Sequence, residues 1–171
     1  MIHILEEIEN NTEVFIDANI FIYFFSKDSI FNRSCSRFFK RIENQEIKGT
    51  TNAVVIQEVI HRVMVEEAII KFPEISLQKI TTFLKNNLEI VKQLEISRNL
   101  VYIIENLNIN VVSVSFDNVK KAQKIKKQYG FLGNDALFIE TMFECGINKL
   151  ATNDKDFEII PDIHIYKPTP C

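Results

Sequence analysis

Short runs of β-branched and aromatic residues alternate along this chain with longer stretches whose apolar residues recur three and four positions apart. The first pattern belongs to buried strands and the second to helices with one apolar face. Val14-Phe15-Ile16 predicts a buried strand that ends at Asp17, followed by a helix over 19–25. A second helix is predicted over 32–44, with Cys35, Phe38, Phe39 and Ile42 facing inward. Residues 49–51 read as a short strand, and Asn52 as the cap of a helix over 53–71. Ser76 opens a further helical pattern, and residues 88–107 predict one continuous helix with Leu100, Ile104 and Leu107 on a face. Val111-Val112-Ser113-Val114 is the clearest second strand; Asp117 then caps a helix that ends at Gly130. A helix over 134–145, a strand over 149–152 and a last strand at the sheet edge over 163–166 complete the chain. This alternation predicts an α/β fold: a single domain with a mostly parallel central sheet flanked by helices on both faces. In such sheets the functional crevice lies off the C-terminal strand ends.

Composition narrows the class. The 171 residues are 46% hydrophobic and 25% charged, which fits one globular domain and excludes wholesale disorder. Cys35, Cys145 and Cys171 are odd in number and far apart, and His3, His61 and His164 are equally scattered. Neither a disulfide framework nor a zinc knuckle is indicated, and a reducing cytoplasm fits. The start carries Glu6, Glu7 and Glu9 where a signal peptide would be basic. The longest apolar run, 14–25, is interrupted by Asp17 and Asn19, so no membrane span is expected. Fourteen Phe and no Trp favour rings in a core or a dimer face, Phe21, Tyr23, Phe24, Phe25 and Phe31 above all.

The predicted strand ends gather carboxylates. Asp17 lies where the first strand gives out, and Asp154 lies just past the strand that ends at Thr152. Glu58 falls in the second turn of its helix and Asp135 in the first turn of another. No arginine or histidine stands at those ends to neutralise them. Two carboxylates about 4 Å apart repel by roughly 4 kcal/mol at an effective dielectric near 20, so four need a counter-charge. Hard divalent cations such as Mg²⁺ or Mn²⁺ prefer such oxygen ligands, and the site they make suits phosphodiester hydrolysis. Any one of these acids alone would read as a turn, cap or solvated residue.

Four segments together resemble the motifs of PIN-domain ribonucleases, most closely the VapC-type toxins of toxin–antitoxin pairs. They are V-F-I-D-A-N-I-F-I-Y from Val14, Glu58 in A-V-V-I-Q-E-V-I, Asp135 in N-D-A-L-F-I-E, and L-A-T-N-D-K-D-F from Leu150. The resemblance covers residues 14–168, and it implies an acidic quartet of Asp17, Glu58, Asp135 and Asp154 that binds Mg²⁺ or Mn²⁺. Asn19 and Thr152 match the polar positions that orient it. Asp156, in the last motif, is an alternative or additional ligand. The resemblance further implies a metal-dependent endoribonuclease acting on RNA, with an antitoxin protein as partner and a homodimer as its assembly. In this reading residues 1–13 are an N-terminal extension packed on a domain of residues 14–171. The 77 residues from Glu58 to Asp135 imply an enlarged helical segment at about 64–110.

Two further features bear on the substrate. Lys120, Lys121, Lys124 and Lys127 share a lysine-rich helix, which is either a solvated face or one that follows an RNA backbone. With the four site acids set aside, 19 acids face 20 bases, so the charge balance does not forbid RNA. His61 is expected to be a packed or surface histidine. The rival readings are a non-enzymatic protein- or RNA-binding module of the same fold and an RNA-processing nuclease without an antitoxin. A phosphatase using Asp17 as nucleophile would want a second carboxylate where Asn19 stands.

Overall fold

The computed structural model describes all 171 residues. In chain order the first elements are β1 (Ile2–Ile4), β2 (Glu13–Ile16), α1 (Ala18–Phe25), α2 (Asn32–Glu43) and β3 (Lys48–Asn52). Then follow α3 (Ala53–Lys71), α4 (Leu77–Asn86), α5 (Leu88–Lys92), α6 (Ile96–Asn106) and β4 (Asn110–Val112). The chain closes with α7 (Phe116–Tyr129), α8 (Asp135–Glu144), β5 (Lys149–Ala151) and β6 (His164–Lys167). Three-residue and four-residue 3-10 turns lie at Leu5–Glu7 and Asp156–Ile159.

All six strands form one sheet in the order β1-β6-β5-β2-β3-β4, and every pairing is parallel. From β2 the chain steps outward to β3 and β4; it then returns to the other side of β2 as β5 and β6. The reversal places a topological switch at β2 and β5, and a crevice opens at their C-terminal ends. The central strand reads as a continuous apolar run because both its faces are covered: Val14, Phe15 and Ile16 are all 0% exposed. Phe15 meets Phe138 of α8 edge-on at 4.9 Å between ring centroids. Ile16 and Ile42 of α2 instead crowd Gly49, where an added Cβ would lie 2.8–2.9 Å from their Cδ1 atoms. Glycine at position 49 is what lets α2 approach the sheet.

Most elements fall where the periodicity predicts, and four details differ. β6 is not an edge strand, because β1 pairs along it from Ile2 against Ile165 to Ile4 against Lys167. The predicted helix over 88–107 is broken at 93–95 into α5 and α6. The cap of α7 is Ser115, not Asp117: its Oγ accepts from Asn118 N while Asn118 Oδ1 accepts from Ser115 N. Asp117 sits inside the first turn, and Gly130 ends the helix at a left-handed φ of 78° as expected. The predicted strand over 111–114 is shorter and earlier, at Asn110–Val112.

The core divides into two parts. A large cluster joins the sheet to α1, α2, α3, α6, α7 and α8, and includes Phe21. Tyr23, Phe24, Phe25 and Phe31 are half-buried against it. A small cluster of Ala68, Ile80, Leu84 and Leu94 holds α4 and α5 against the far end of α3. The longest link between strands, β3 to β4, thus carries a secondary core of its own.

Candidate active site

Asp17 ends β2. Its amide donates to Ala151 O at 3.1 Å, so pairing with β5 continues up to this residue. There the backbone turns into α1 with Asp17 as N-cap, and Oδ1 accepts from Ala18 N at 2.6 Å. Thr152, the residue after β5, donates its hydroxyl to Asp17 Oδ2 at 2.7 Å. The same oxygen accepts from Asn19 Nδ2, which also donates to Thr152 Oγ1 at 3.0 Å. Asn19 Oδ1 accepts from Asn153 N at 3.1 Å, and this bond fixes which end of the amide faces the carboxylate. Thr152 Oγ1 accepts in addition from Asp154 N at 3.0 Å, tying the last acidic loop to the same hub. Asp17, Asn19, Thr152 and Asp154 are therefore one connected constellation assembled from two strand ends.

Glu58 and Asp135 complete it from the helices. A narrow cleft is lined by Asp17, Asn52, Val54, Val55, Glu58, Asn134, Asp135 and Phe138. Next to it an open groove shares Val54, Glu58 and Asn134 and continues past Gln57 and His61 to Val114. His61 is exposed, in agreement with a surface histidine. Asp154 and Asp156 are exposed on the rim, where Asp154 Oδ1 accepts from Asp156 N at 2.9 Å.

The charges of this cluster are felt from one acid to the next. Burial pushes the Asp17 carboxyl up to about 7; its bonds from Thr152 and Ala18 oppose the rise, and the negative Glu58 and Asp154 add to it. Burial likewise raises Asp135, reinforced by Asp154, Glu58 and, last, Asp156. Asp154 thus acts on both half-buried acids, and Asp156 on Asp135 alone. None of the five acids forms an ion pair with a lysine, arginine or histidine. As the side chains stand, no three of them are drawn close enough to grip one ion. Like charges without a counter-charge keep apart. The oxygen-only donor set and the uncompensated charge fit a hard divalent cation.

Asn52 is the lining residue that the sequence marks only as a cap. It does cap α3, with Oδ1 accepting from Val55 N at 2.9 Å, but it is 0% exposed and its Nδ2 has no partner. The strand offset that aligns Phe15 with Thr50 also sets Asn52 level with Asp17, and this signal becomes legible only once β2 and β3 are paired.

The lysine-rich helix α7 is divided. Lys120 and Lys121 both pair with Asp117 at 3.0 Å, and Lys121 also with Glu144 at 2.8 Å. Lys124 and Lys127 are exposed and make no ion pair.

A family model described as the PIN domain matches residues 14–163. The chain is similar to a protein named Ribonuclease VapC2 from Methanocaldococcus jannaschii, 27% identical over 90% of this chain and 92% of that protein. It is equally similar to Ribonuclease VapC6 of the same organism, 27% identical over 91% and 97%. Among solved structures, VapBC2 from Rickettsia felis bound to a promoter DNA fragment superposes with a TM-score of 0.60 at 14% identity, over 92% of this chain and 99% of that one. VapC20 from Mycobacterium tuberculosis, described as a sarcin–ricin loop cleaving toxin, superposes with a TM-score of 0.56 at 14% identity, over 85% and 92%.

Proposed function

This chain belongs to the PIN domain family, and we propose that it is an endoribonuclease, the toxin of a toxin–antitoxin pair, that hydrolyses RNA phosphodiesters with Mg²⁺ or Mn²⁺. The observation that carries this reading is the acid cluster at the β2/β5 switch, where burial and like charge push Asp17 up to about 7 and no basic residue pairs with it. The two relatives named as ribonucleases, each matched over nine-tenths or more of its length, support the same activity.

In this reading Asp17, Glu58, Asp135 and Asp154 hold the cation and Asp156 stands behind them at the rim. A divalent ion in such a site supplies an activated water and screens the charge of the phosphodiester. The protein's own part is positioning. Asp17 Oδ2 is spent on Thr152 and Asn19, and Oδ1 takes a single bond from Ala18 N, so Oδ1 keeps a lone pair for the cleft. Because Thr152 and Asn19 are themselves tied to the 153–154 loop, the carboxylate does not swing when charge enters. The groove past Gln57 and His61 is an open approach for a polynucleotide strand.

The antitoxin partner, the homodimer and a cytoplasmic location belong to the same proposal; a structural neighbour described as a toxin–antitoxin complex from Klebsiella pneumoniae, with a TM-score of 0.52 at 18% identity, supports the first. No helix is long and apolar enough to cross a membrane. Residues 1–13 are read as an extension that supplies the edge strand β1, and residues 64–110 as an enlargement of the family's helical segment.

The test is cleavage of single-stranded RNA, tRNA and rRNA by the purified chain. Cleavage is expected to stop in EDTA, to return with Mn²⁺ or Mg²⁺, and to be lost in Asp135→Asn. Undiminished cleavage in EDTA or by Asp135→Asn overturns the assignment.

A further inference from the structure

Asn52 uses only half of its amide. The bond from Val55 N to Oδ1 fixes the amide's orientation and turns Nδ2 away from the helix it caps. Only one other buried side-chain polar atom in the protein lacks a partner, His3 Nε2 at the far edge of the sheet. Fully buried donors without an acceptor are rare in folded proteins, and each calls for an explanation such as a catalytic role, an ion or an ordered water. The sheet explains where this one sits. Phe15 is in register with both Thr50 and Leu150, so two residues further on Asp17 stands between Asn52 and Thr152. Thr152 commits its hydroxyl to Asp17; Asn52, on the other side, leaves its Nδ2 uncommitted.

The narrow cleft that Asn52 helps to line also carries the acceptors Asp17, Glu58 and Asp135, and no lysine or arginine. Beside the cation, the protein can therefore offer an anionic substrate in this cleft only neutral donors. A cationic side chain at position 52 would pair with Asp17 and cancel the charge that the site holds for a cation.

We propose that Asn52 Nδ2 is a substrate-positioning donor that hydrogen-bonds a non-bridging oxygen of the phosphodiester seated over the end of β2. This rests on the nuclease reading above and adds to it the group that orients the phosphate. Once the narrow cleft opens to the phosphate, a donor held in place by the α3 cap aligns the reacting bond.

The experiment compares the full chain with Asn52→Ser, whose hydroxyl still caps α3 but is too short to present the donor. The substrate is an RNA oligonucleotide carrying a single Rp or Sp phosphorothioate at the cleaved bond, assayed in Mn²⁺ below the melting temperature of both proteins. Asn52→Ser is expected to lower kcat/KM on unmodified RNA by roughly 10- to 100-fold. One sulfur diastereomer is expected to slow the wild type and to add nothing further in Asn52→Ser, because both changes remove the same bond. Asn52→Asp, which keeps the capping acceptor and the shape, is expected to show the same non-additivity. Cleavage by Asn52→Ser at the wild-type rate overturns the inference, as does a loss that adds fully to both sulfur effects, which is the mark of a cap alone. Failure of the wild type to cleave any RNA would instead remove the nuclease reading on which it rests.

Discussion

Burial penalises the charge of both Glu67 of α3 and the half-buried Asp17 at the end of β2, yet the protein treats them in opposite ways. Glu67 is 3% exposed and burial alone would raise its pKa. Bonds from Lys71 and from the backbone amides of Glu95 and Ser97 outweigh burial and hold it below the ordinary range. Its oxygens accept from Glu95 N and Ile96 N at 3.0 Å and Ser97 N at 3.3 Å, and Lys71 Nζ lies at 3.0 Å. The helix α6 has no capping side chain of its own, so Glu67 serves as its cap from a distance, and the helix end in turn favours the negative charge of Glu67. Asp17 receives fewer donors and faces Glu58 and Asp154 instead of a lysine. A buried acid whose bonds are complete is a fastening. One left short of positive charge is a binding group in waiting.

The largest expected effect breaks this contrast at Asp17. Asp17→Asn removes the charge; its single oxygen still accepts from Ala18 N, and its Nδ2 replaces the oxygen that accepted from Thr152, so that hydroxyl must turn to accept instead. RNA cleavage should fall about 1,000-fold, roughly 4 kcal/mol of transition-state stabilisation, in a single-turnover assay. In EDTA the same variant should be more stable than the wild type at pH 8. Ionising a carboxyl that titrates near 7 in the fold, against 3.8 unfolded, costs at most about 4 kcal/mol, and solvent screening lowers this. The sign is distinctive. The raised value makes the native state favour the proton, so the variant's advantage is full above pH 7 and vanishes below pH 3.8. Urea melts at pH 8 and pH 3.5 check it; equal stability of the two proteins at pH 8 would contradict an uncompensated Asp17.

Five of the six strands, most helices and the placement of Asp17, Glu58 and Asp135 along one cleft were legible from periodicity and from the rule that crevices open at strand ends. Val14-Phe15-Ile16 is apolar at every position because both faces are covered, which is a one-dimensional signal. What stayed hidden depends on pairing across the chain. The strand β1 is three residues long, and its existence follows from β6 offering an open edge. Asp117 displaced Ser115 as the expected cap because both residues suit the role, and only the reciprocal bond with Asn118 decides. Residues 93–95 interrupt the long helical pattern because Glu67, 28 residues away, takes up the amides that start α6. Asn52 declares its capping half to sequence and its unpartnered half only to structure.

An intermediate effect is expected when the satisfied acid is weakened. Glu67→Gln removes the charge that Lys71 and three amides share, and should cost about 2–3 kcal/mol. The loss should appear first as faster hydrogen exchange at Glu95, Ile96 and Ser97, with α4 and α5 loosened before the sheet. Cleavage at 20 °C should stay within about threefold, because the acids at the end of β2 contact none of these groups. Here the pH sign is reversed. A lowered value means that the stabilisation is full above 4.5 and fades as pH falls through the folded value, so Glu67→Gln should matter least in acid. Loss of cleavage in step with Glu67→Gln would show that the fastening and the site are one unit.

The smallest effect extends the same contrast to lysines. Lys120 and Lys121 are already bound to Asp117 and Glu144, whereas Lys124 and Lys127 keep their charge unshared. A lysine with a carboxylate partner releases less counterion on meeting a phosphate, because its field is partly cancelled. Lys124→Ala with Lys127→Ala should therefore weaken RNA binding a few-fold. It should also flatten the slope of log affinity against log salt by about 1.4, the value for two contacts to a single strand. Lys120→Ala with Lys121→Ala should change the slope by less than half of that. Fluorescence anisotropy of a labelled RNA across 50–300 mM KCl separates the two. Equal slopes for both double variants would mean that α7 faces solvent and takes no part in holding the strand.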